Sequence, residues 1–246
     1  MNTIDVNCDM GEGMDNDIFL MPFISSTNIA CGYHAGNTDT MKRMVELALQ
    51  YQVAIGAHPG FNDKENFGRN EVELSPLQLF DVVAQQIFTL QKICNEFGTS
   101  IHHIKPHGAL YNMAAKDAIM SSVIVKAIHE INNNFIVYGL SGSYLISEAA
   151  KIGLKTANEV FADRTYQNDG TLTSRKLANA LITDVEISIK QVIQMVQKHC
   201  VISVSGNIIG IKADTICIHG DGKYAVTFAK KIAESLKENN IELKAI

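Results

Sequence analysis

The stretch from Ile101 to Tyr111, Ile-His-His-Ile-Lys-Pro-His-Gly-Ala-Leu-Tyr, concentrates ionisable side chains at a place where the chain must turn. If Ile101–Lys105 is extended, side chains alternate, so His103, Lys105 and His107 share one face while His102 and Ile104 share the other. Pro106 removes a ladder donor and Gly108 tolerates a sharp exit, which ends the strand there. Taken alone, this could be an edge strand with solvated basic residues. The same arrangement recurs, however: His34, His58 and His219 also follow extended runs, each just before a turn into a helix. Asp9 and Glu12 close the first run, and carboxylates partly removed from water have raised pKa values that suit a general base. Lys105 could hold a phosphate or a developing oxyanion as a point charge. Arg69 and Arg164 could clamp a carboxylate bidentately, with Glu159 and Asp163 either acting directly or orienting these cations.

The elements that must carry these groups follow a single plan. Ile4–Asp9 alternates with Ile4, Val6 and Cys8 on one face and Asp5, Asn7 and Asp9 on the other. If the polar face is interior, each member needs a partner, because an unpartnered buried polar group costs about 2 kcal/mol or more. Asp5 and Asn7 could serve only such internal hydrogen bonding. Extended runs follow at 26–32, 53–58, 101–105, 135–140, 156–161 and 215–218. Helical patterns are expected over 38–48, 75–97, 115–132, 144–152, 184–197 and 224–239, with Ser75-Pro76 a strong helix start. The inner face of the third run carries Ala54 and Gly56, small residues that leave room below a site. The charged stretch 61–73 reads as a lid carrying Arg69. Residues 201–204 and 208–211 read as a small β-hairpin.

Seven strand-then-helix units imply a parallel sheet. A closed seven-stranded (β/α) barrel of TIM type is favoured over an open doubly wound sheet, because polar residues end strands along the whole chain and converge only if the strands form a ring. One domain over residues 1–246 is expected. With 26 acidic against 21 basic residues and no basic run, a nucleic-acid surface is not expected. No apolar run approaches the roughly 20 residues of a bilayer span, so no membrane association is expected and the location expected is the cytoplasm. The five cysteines form no C-x-x-C pair and imply neither a disulfide framework nor a structural zinc site. Alternation places Cys31 on the helix-facing side, where packing and not nucleophilic chemistry is expected. No dinucleotide or phosphate-loop glycine motif follows a strand, so direct ATP binding is not expected.

Six motifs in order, residues 5–12, 28–36, 56–60, 105–111, 159–166 and 216–221, resemble the LamB/YcsF family, which supplies the lactam-opening component of bacterial ATP-dependent 5-oxoprolinases. The resemblance implies a barrel related to those of glycoside hydrolases and polysaccharide deacetylases. It also implies the net reaction 5-oxo-L-proline + ATP + 2 H2O → L-glutamate + ADP + phosphate, with partner subunits B and C handling ATP as co-substrate. On these motifs the catalytic candidates are Asp9, Glu12, His58, Lys105 and His107. The substrate-binding candidates are Asn7, Asn28, His34, Arg69, Glu159, Asp163, Arg164, His219 and Asp221. Asn37 stands where the family pattern suggests an aspartate, and 174–179 lacks the proline and glycine expected after the Arg164 motif. A divalent metal held by the histidines and carboxylates stays an open alternative, since the related deacetylases use one, although no H-x-x-x-H spacing is present. A self-sufficient metal-dependent amide or polysaccharide deacetylase and a non-catalytic small-acid-binding barrel are the competing functions.

Overall fold

The computed structural model of the chain describes residues 2–220 and 225–246. Seven parallel strands form a closed barrel: β1 (Asn2–Met10), β2 (Ser26–Ala30), β3 (Ala54–His58), β4 (His103–Ile104), β5 (Ile136–Leu140), β6 (Lys155–Phe161) and β9 (Thr215–Ile218). Closure is made by β9, which pairs with β6 through Glu159↔Thr215 and with β1 through Asp5↔Thr215. Helices α1 (Asp17–Leu20), α2 (Thr38–Tyr51), α3 (Pro76–Glu96), α4 (Gly108–Lys116), α5 (Ala118–Ile131), α6 (Tyr144–Lys151), α7 (Val185–Lys198) and α8 (Ala225–Glu238) return the chain between strands. A two-stranded antiparallel hairpin, β7 (Cys200–Ile202) with β8 (Ile208–Gly210), lies between α7 and β9.

Local chemistry sets the element ends. Ser75 accepts from the Gln78 amide while Gln78 reaches back to the Ser75 amide, a reciprocal cap with Pro76 at the first helical position. The helix expected over 115–132 is α5, started by Asp117, whose Oδ1 accepts from the amides of Ile119 and Met120, and the preceding α4 is a further helix that the sequence reading does not anticipate. Laddering in β4 is confined to two residues, yet Ile101–Lys105 stays tied to β3 by His102 N to Ile55 O (2.7 Å) and Lys105 N to Ala57 O (3.0 Å). A final strand, β10 (Ile241–Leu243), pairs with the start of β1, and no sequence pattern marks it in advance.

Alternation in β1 holds. Val6 and Cys8 are fully buried toward the helices, while the polar face turns into the barrel. There Asp5 accepts from Ser25, Ser26 and Thr215 hydroxyls at 2.5–2.6 Å, so its burial is compensated. The room left by Gly56 is filled by the ring of His103, which stacks on Tyr138 (centroids 4.0 Å apart) and bonds Asn28 Oδ1 at 2.8 Å. A Cβ at Gly56 would lie 2.1 Å from His103 Nε2, so the glycine is required by close approach. This layer of Asp5, Ser26, His103 and Tyr138 is the floor on which the carboxyl-terminal rim sits.

Candidate active site at the carboxyl end of the barrel

The strand ends open into a cavity of about 740 Å³, lined among others by Asp9, Glu12, His58, Lys105, His107 and His219. Asn7, Asn28 and Glu159 lie just beneath, fully or nearly fully buried, and His34 is buried behind the rim. Groups from β1, β2, β3, β4, β6 and β9 therefore meet in one place. Asp221 lies outside the described residues.

Lys105 is the electrostatic centre. Its Nζ sits 2.9 Å from Asp9 Oδ1, 2.8 Å from Glu159 Oε1, 3.1 Å from Asn7 Oδ1 and 3.2 Å from Cys217 Sγ. The Glu159 contact is an ion pair outside hydrogen-bonding geometry, since Oε1 has no hydrogen-bond partner; the other oxygen, Oε2, accepts from Tyr111 Oη at 2.7 Å. Burial alone would lower the Lys105 pKa, but Asp9, Cys217 and Glu159 outweigh it and hold the ammonium well above its ordinary value. With these partners, Lys105 has its donors engaged within the protein, which differs from a lysine waiting to grip phosphate.

The histidines form a second layer. His58 Nδ1 faces the Lys105 carbonyl at 2.7 Å and His107 Nε2 faces the Phe67 carbonyl at 2.9 Å, so both of these nitrogens must donate. Their other nitrogens, His58 Nε2 and His107 Nδ1, are 2.9 Å apart. Two lone pairs would repel at that distance, so a proton or a cation belongs between them. Consistently, the His58 pKa is raised: burial pulls it down, but the Asp9 carboxylate, 3.3 Å away, outweighs burial. His34 stacks parallel to His107 (3.7 Å between centroids, 3° between planes) and its Nε2 lies 3.1 Å from Glu12 Oε1. Burial pushes the His34 pKa down to about 4, so the ring is neutral, donates Nε2–H to Glu12 and leaves Nδ1 unpartnered.

The carboxylates differ from the expectation of raised pKa values. For Glu12, burial raises the pKa, but hydrogen bonds from His107 and His34 outweigh it and hold the group at about 2. For Asp9, burial is likewise outweighed by His58 and Lys105, and the pKa lies well below the ordinary carboxylate value. Both carboxylates are thus held in their charged form beside the His58 and His107 rings.

The loop 61–73 lies against this layer. Gly68, at φ +61°, packs so closely that a Cβ would meet His34 Cβ at 2.8 Å, and its carbonyl receives the Ala109 amide. Arg69 lines the cavity with its guanidinium 5.0 Å from the Phe67 ring centroid. Arg164 also lines it, but it is 6% exposed and donates to the carbonyls of Thr173 (2.5 Å) and Ala180 (3.3 Å). His219 Nδ1 meets Asp163 at 2.7 Å. Sequence reasoning does not single out Tyr111, Phe67, Cys217 or Arg175 for the site. Tyr111 lies within the Lys105 motif one helical turn on, which is the available signal. Cys217 likewise lies in the motif at 216–221 and Phe67 in the lid stretch 61–73, whereas only through-space proximity brings Arg175 to the site. Cys31 is buried on the helix side, with burial pushing its thiol up to about 12, as expected for a packing residue.

Among the described residues, Glu12, His34, His58 and His107 offer ligand atoms within 4.8 Å of one another, as do Asp9, Cys217 and His219. The second group does not suit a metal, because the Lys105 ammonium already stands between Asp9 and Cys217. In the first group the parallel rings of His34 and His107 cannot both aim in-plane lone pairs at one ion. Glu12, His58 and His107 do fit: a carboxylate oxygen and two ring nitrogens converge, and each histidine's far nitrogen is anchored on a carbonyl, as ligand histidines commonly are.

The LamB/YcsF family model matches residues 4–246. A protein of Shouchella clausii described as the A subunit of 5-oxoprolinase is 48% identical over 250 residues, covering 100% of this chain and 99% of its own. The crystal structure of a lactam utilization protein from Thermus thermophilus superposes with a TM-score of 0.93 at 34% identity, covering 99% of this chain and 100% of that one. A family 4 carbohydrate esterase from Streptomyces lividans shares the fold alone, with a TM-score of 0.53 at 11% identity over 100% of this chain and 93% of that one. No helix among the described residues is long and apolar enough to cross a membrane.

Proposed function

The chain belongs to the LamB/YcsF family, and from that premise we propose that it opens the lactam ring of 5-oxoproline to give glutamate, as one component of an ATP-dependent 5-oxoprolinase. The observation that carries this is end-to-end similarity to the A subunit of a 5-oxoprolinase, with 48% identity across the whole chain. The name of that relative supports an enzyme of several subunits; subunits B and C, with ATP used by them, are part of the proposal.

An unactivated amide is a poor electrophile at neutral pH, so the chemistry needs the carbonyl oxygen activated before water attacks. Phosphorylation of that oxygen would give an imidate-like phosphate. One water adds to its carbonyl carbon, the C–N bond breaks with a proton delivered to the ring nitrogen, and a glutamyl phosphate results. A second water releases phosphate, matching two waters per ATP. The cavity of about 740 Å³ exceeds the needs of a five-membered ring acid and accommodates the activating group as well.

The chain's own residues divide the work as follows. The His58–His107 pair gives the proton held between its converging nitrogens to the leaving nitrogen as it takes one from the attacking water, so the pair ends as it began. Asp9 and Glu12 keep that pair charged and oriented. Lys105 neutralises Asp9 and Glu159, with Asn7 and Asn28 fixing the ammonium and Asp9 from below. Arg69, Asp163, Arg164 and His219 surround the substrate. A divalent metal at Glu12, His58 and His107 would take the place of that shared proton and would supply Lewis acidity and a more acidic bound water instead.

The test is glutamate release from 5-oxo-L-proline by the purified chain with its partner subunits and ATP. His107→Gln should lower turnover by about 10²-fold or more while partner binding persists. Glutamate released by the chain alone without ATP would overturn the coupled reading, as would normal turnover by the variant.

A further inference from the structure

From Ala162 to Asp184 the chain crosses the barrel rim as a strap, and the stretch Leu172–Lys176 lines the cavity. Arg164 is the tie beneath it. Its Nε and Nη2 donate to the Ala180 and Thr173 carbonyls, the Arg164↔Leu181 and Tyr166↔Leu172 bridges flank it, and Gln191 holds the Arg164 carbonyl at 2.9 Å. A guanidinium buried in this way and held on two backbone oxygens shapes the strap and is fixed beneath it.

Arg175 is placed differently. It is exposed, lines the cavity, and its Nη2 donates to His219 Nε2 at 2.9 Å. A guanidinium cannot accept, so His219 must present a lone pair at Nε2 and carry its proton on Nδ1, where it donates to Asp163 at 2.7 Å. Asp163, His219 and Arg175 are thus a line of oriented hydrogen bonds running from the end of β6 to the cavity mouth. The Phe161 ring lies beside it, 5.8 Å from His219 and inclined by 23°, as a flat apolar wall. A positively charged planar fork beside an aromatic face suits a small ring acid: the face takes the ring and the fork takes the carboxylate.

We propose that Arg175 is the specificity residue that binds the substrate's carboxylate, with His219 and Asp163 as its positioning residues. The proposal rests on the lactam-opening reading above and moves the carboxylate contact from Arg164 to a residue on the strap. It requires no change in the chemistry at His58 and His107.

The test compares two ligands of the purified full chain by calorimetry: 5-oxo-L-proline, and 2-pyrrolidinone, the same lactam ring without a carboxylate. Arg175→Gln should weaken 5-oxo-L-proline binding about 10- to 100-fold and leave 2-pyrrolidinone binding unchanged. With partner subunits and ATP, the same variant should raise KM for 5-oxoproline with kcat largely retained. Asp163→Asn should shift the 5-oxo-L-proline affinity in the same direction without altering that of 2-pyrrolidinone, which a general loss of folding would not do. Equal weakening of both ligands, or wild-type affinity for 5-oxo-L-proline in Arg175→Gln, would overturn the assignment. A wild-type chain that binds neither ligand and releases no glutamate in the complex would instead overturn the lactam-opening reading itself.

Discussion

Replacing Lys105 with methionine tests the electrostatic core of the site. The side chain is 3% exposed, and its carboxylate partners Asp9 and Glu159 are 12% and 0% exposed. Asp9 keeps the Asn28 amide and His58 after the change. Glu159 keeps Tyr111 on one oxygen, but its other oxygen has Lys105 as its cation and no hydrogen bond. Removing one partner from a buried pair strands the other charge, which costs about 3–5 kcal/mol. For a chain of this size each kcal/mol moves Tm by about 2–4 °C, so the variant should melt roughly 6–20 °C lower at pH 8. A stranded buried carboxylate escapes the penalty by taking up a proton, so the deficit should shrink in acid. Adding Glu159→Gln should then recover a substantial part of the loss, which double-mutant comparison by thermal denaturation would read directly. A variant within about 1 kcal/mol of wild type at every pH, or a deficit untouched by Glu159→Gln, would refute this account of Lys105.

The remaining predictions concern the floor and the histidine layer. Gly56→Ala puts a methyl group into the fully buried His103 ring, so it should cost about 1–3 kcal/mol by overpacking. Glutamate release should fall with it, since the displaced ring loses its bond to Asn28; an unchanged Tm would show that the floor yields freely. The raised His58 pKa makes a second, pH-dependent prediction. A raised folded-state pKa stabilises the protein fully below the unfolded value of about 6.5 and ceases to do so as pH rises through the folded value. The Tm gap between wild type and His58→Gln should therefore narrow on the alkaline side, and a gap constant from pH 6 to 9 would contradict the raised His58 pKa.

Much of the architecture is written locally. The two-residue alternation of β1, the Ser75-Pro76 cap and the strand-ending histidines are short-range patterns, and they place the barrel and its functional rim without knowledge of any contact. Where local signals are weak, elements are missed: α4 starts at Gly108, which by itself reads as a strand exit, and β10 is too short to show a period. What only the tertiary structure decided is the charge state of the site. Asn7 meets Thr215 across 208 residues, and Lys105 meets Cys217 across 112, because the ring closes through β9. Periodicity reports which face a side chain takes, whereas protonation depends on the burial and the charges assembled around it from every strand. That is why the carboxylates expected to be raised by burial are held down by their neighbours, and why the guanidinium of Arg164 is buried under the strap while that of Arg175 stands exposed at the cavity.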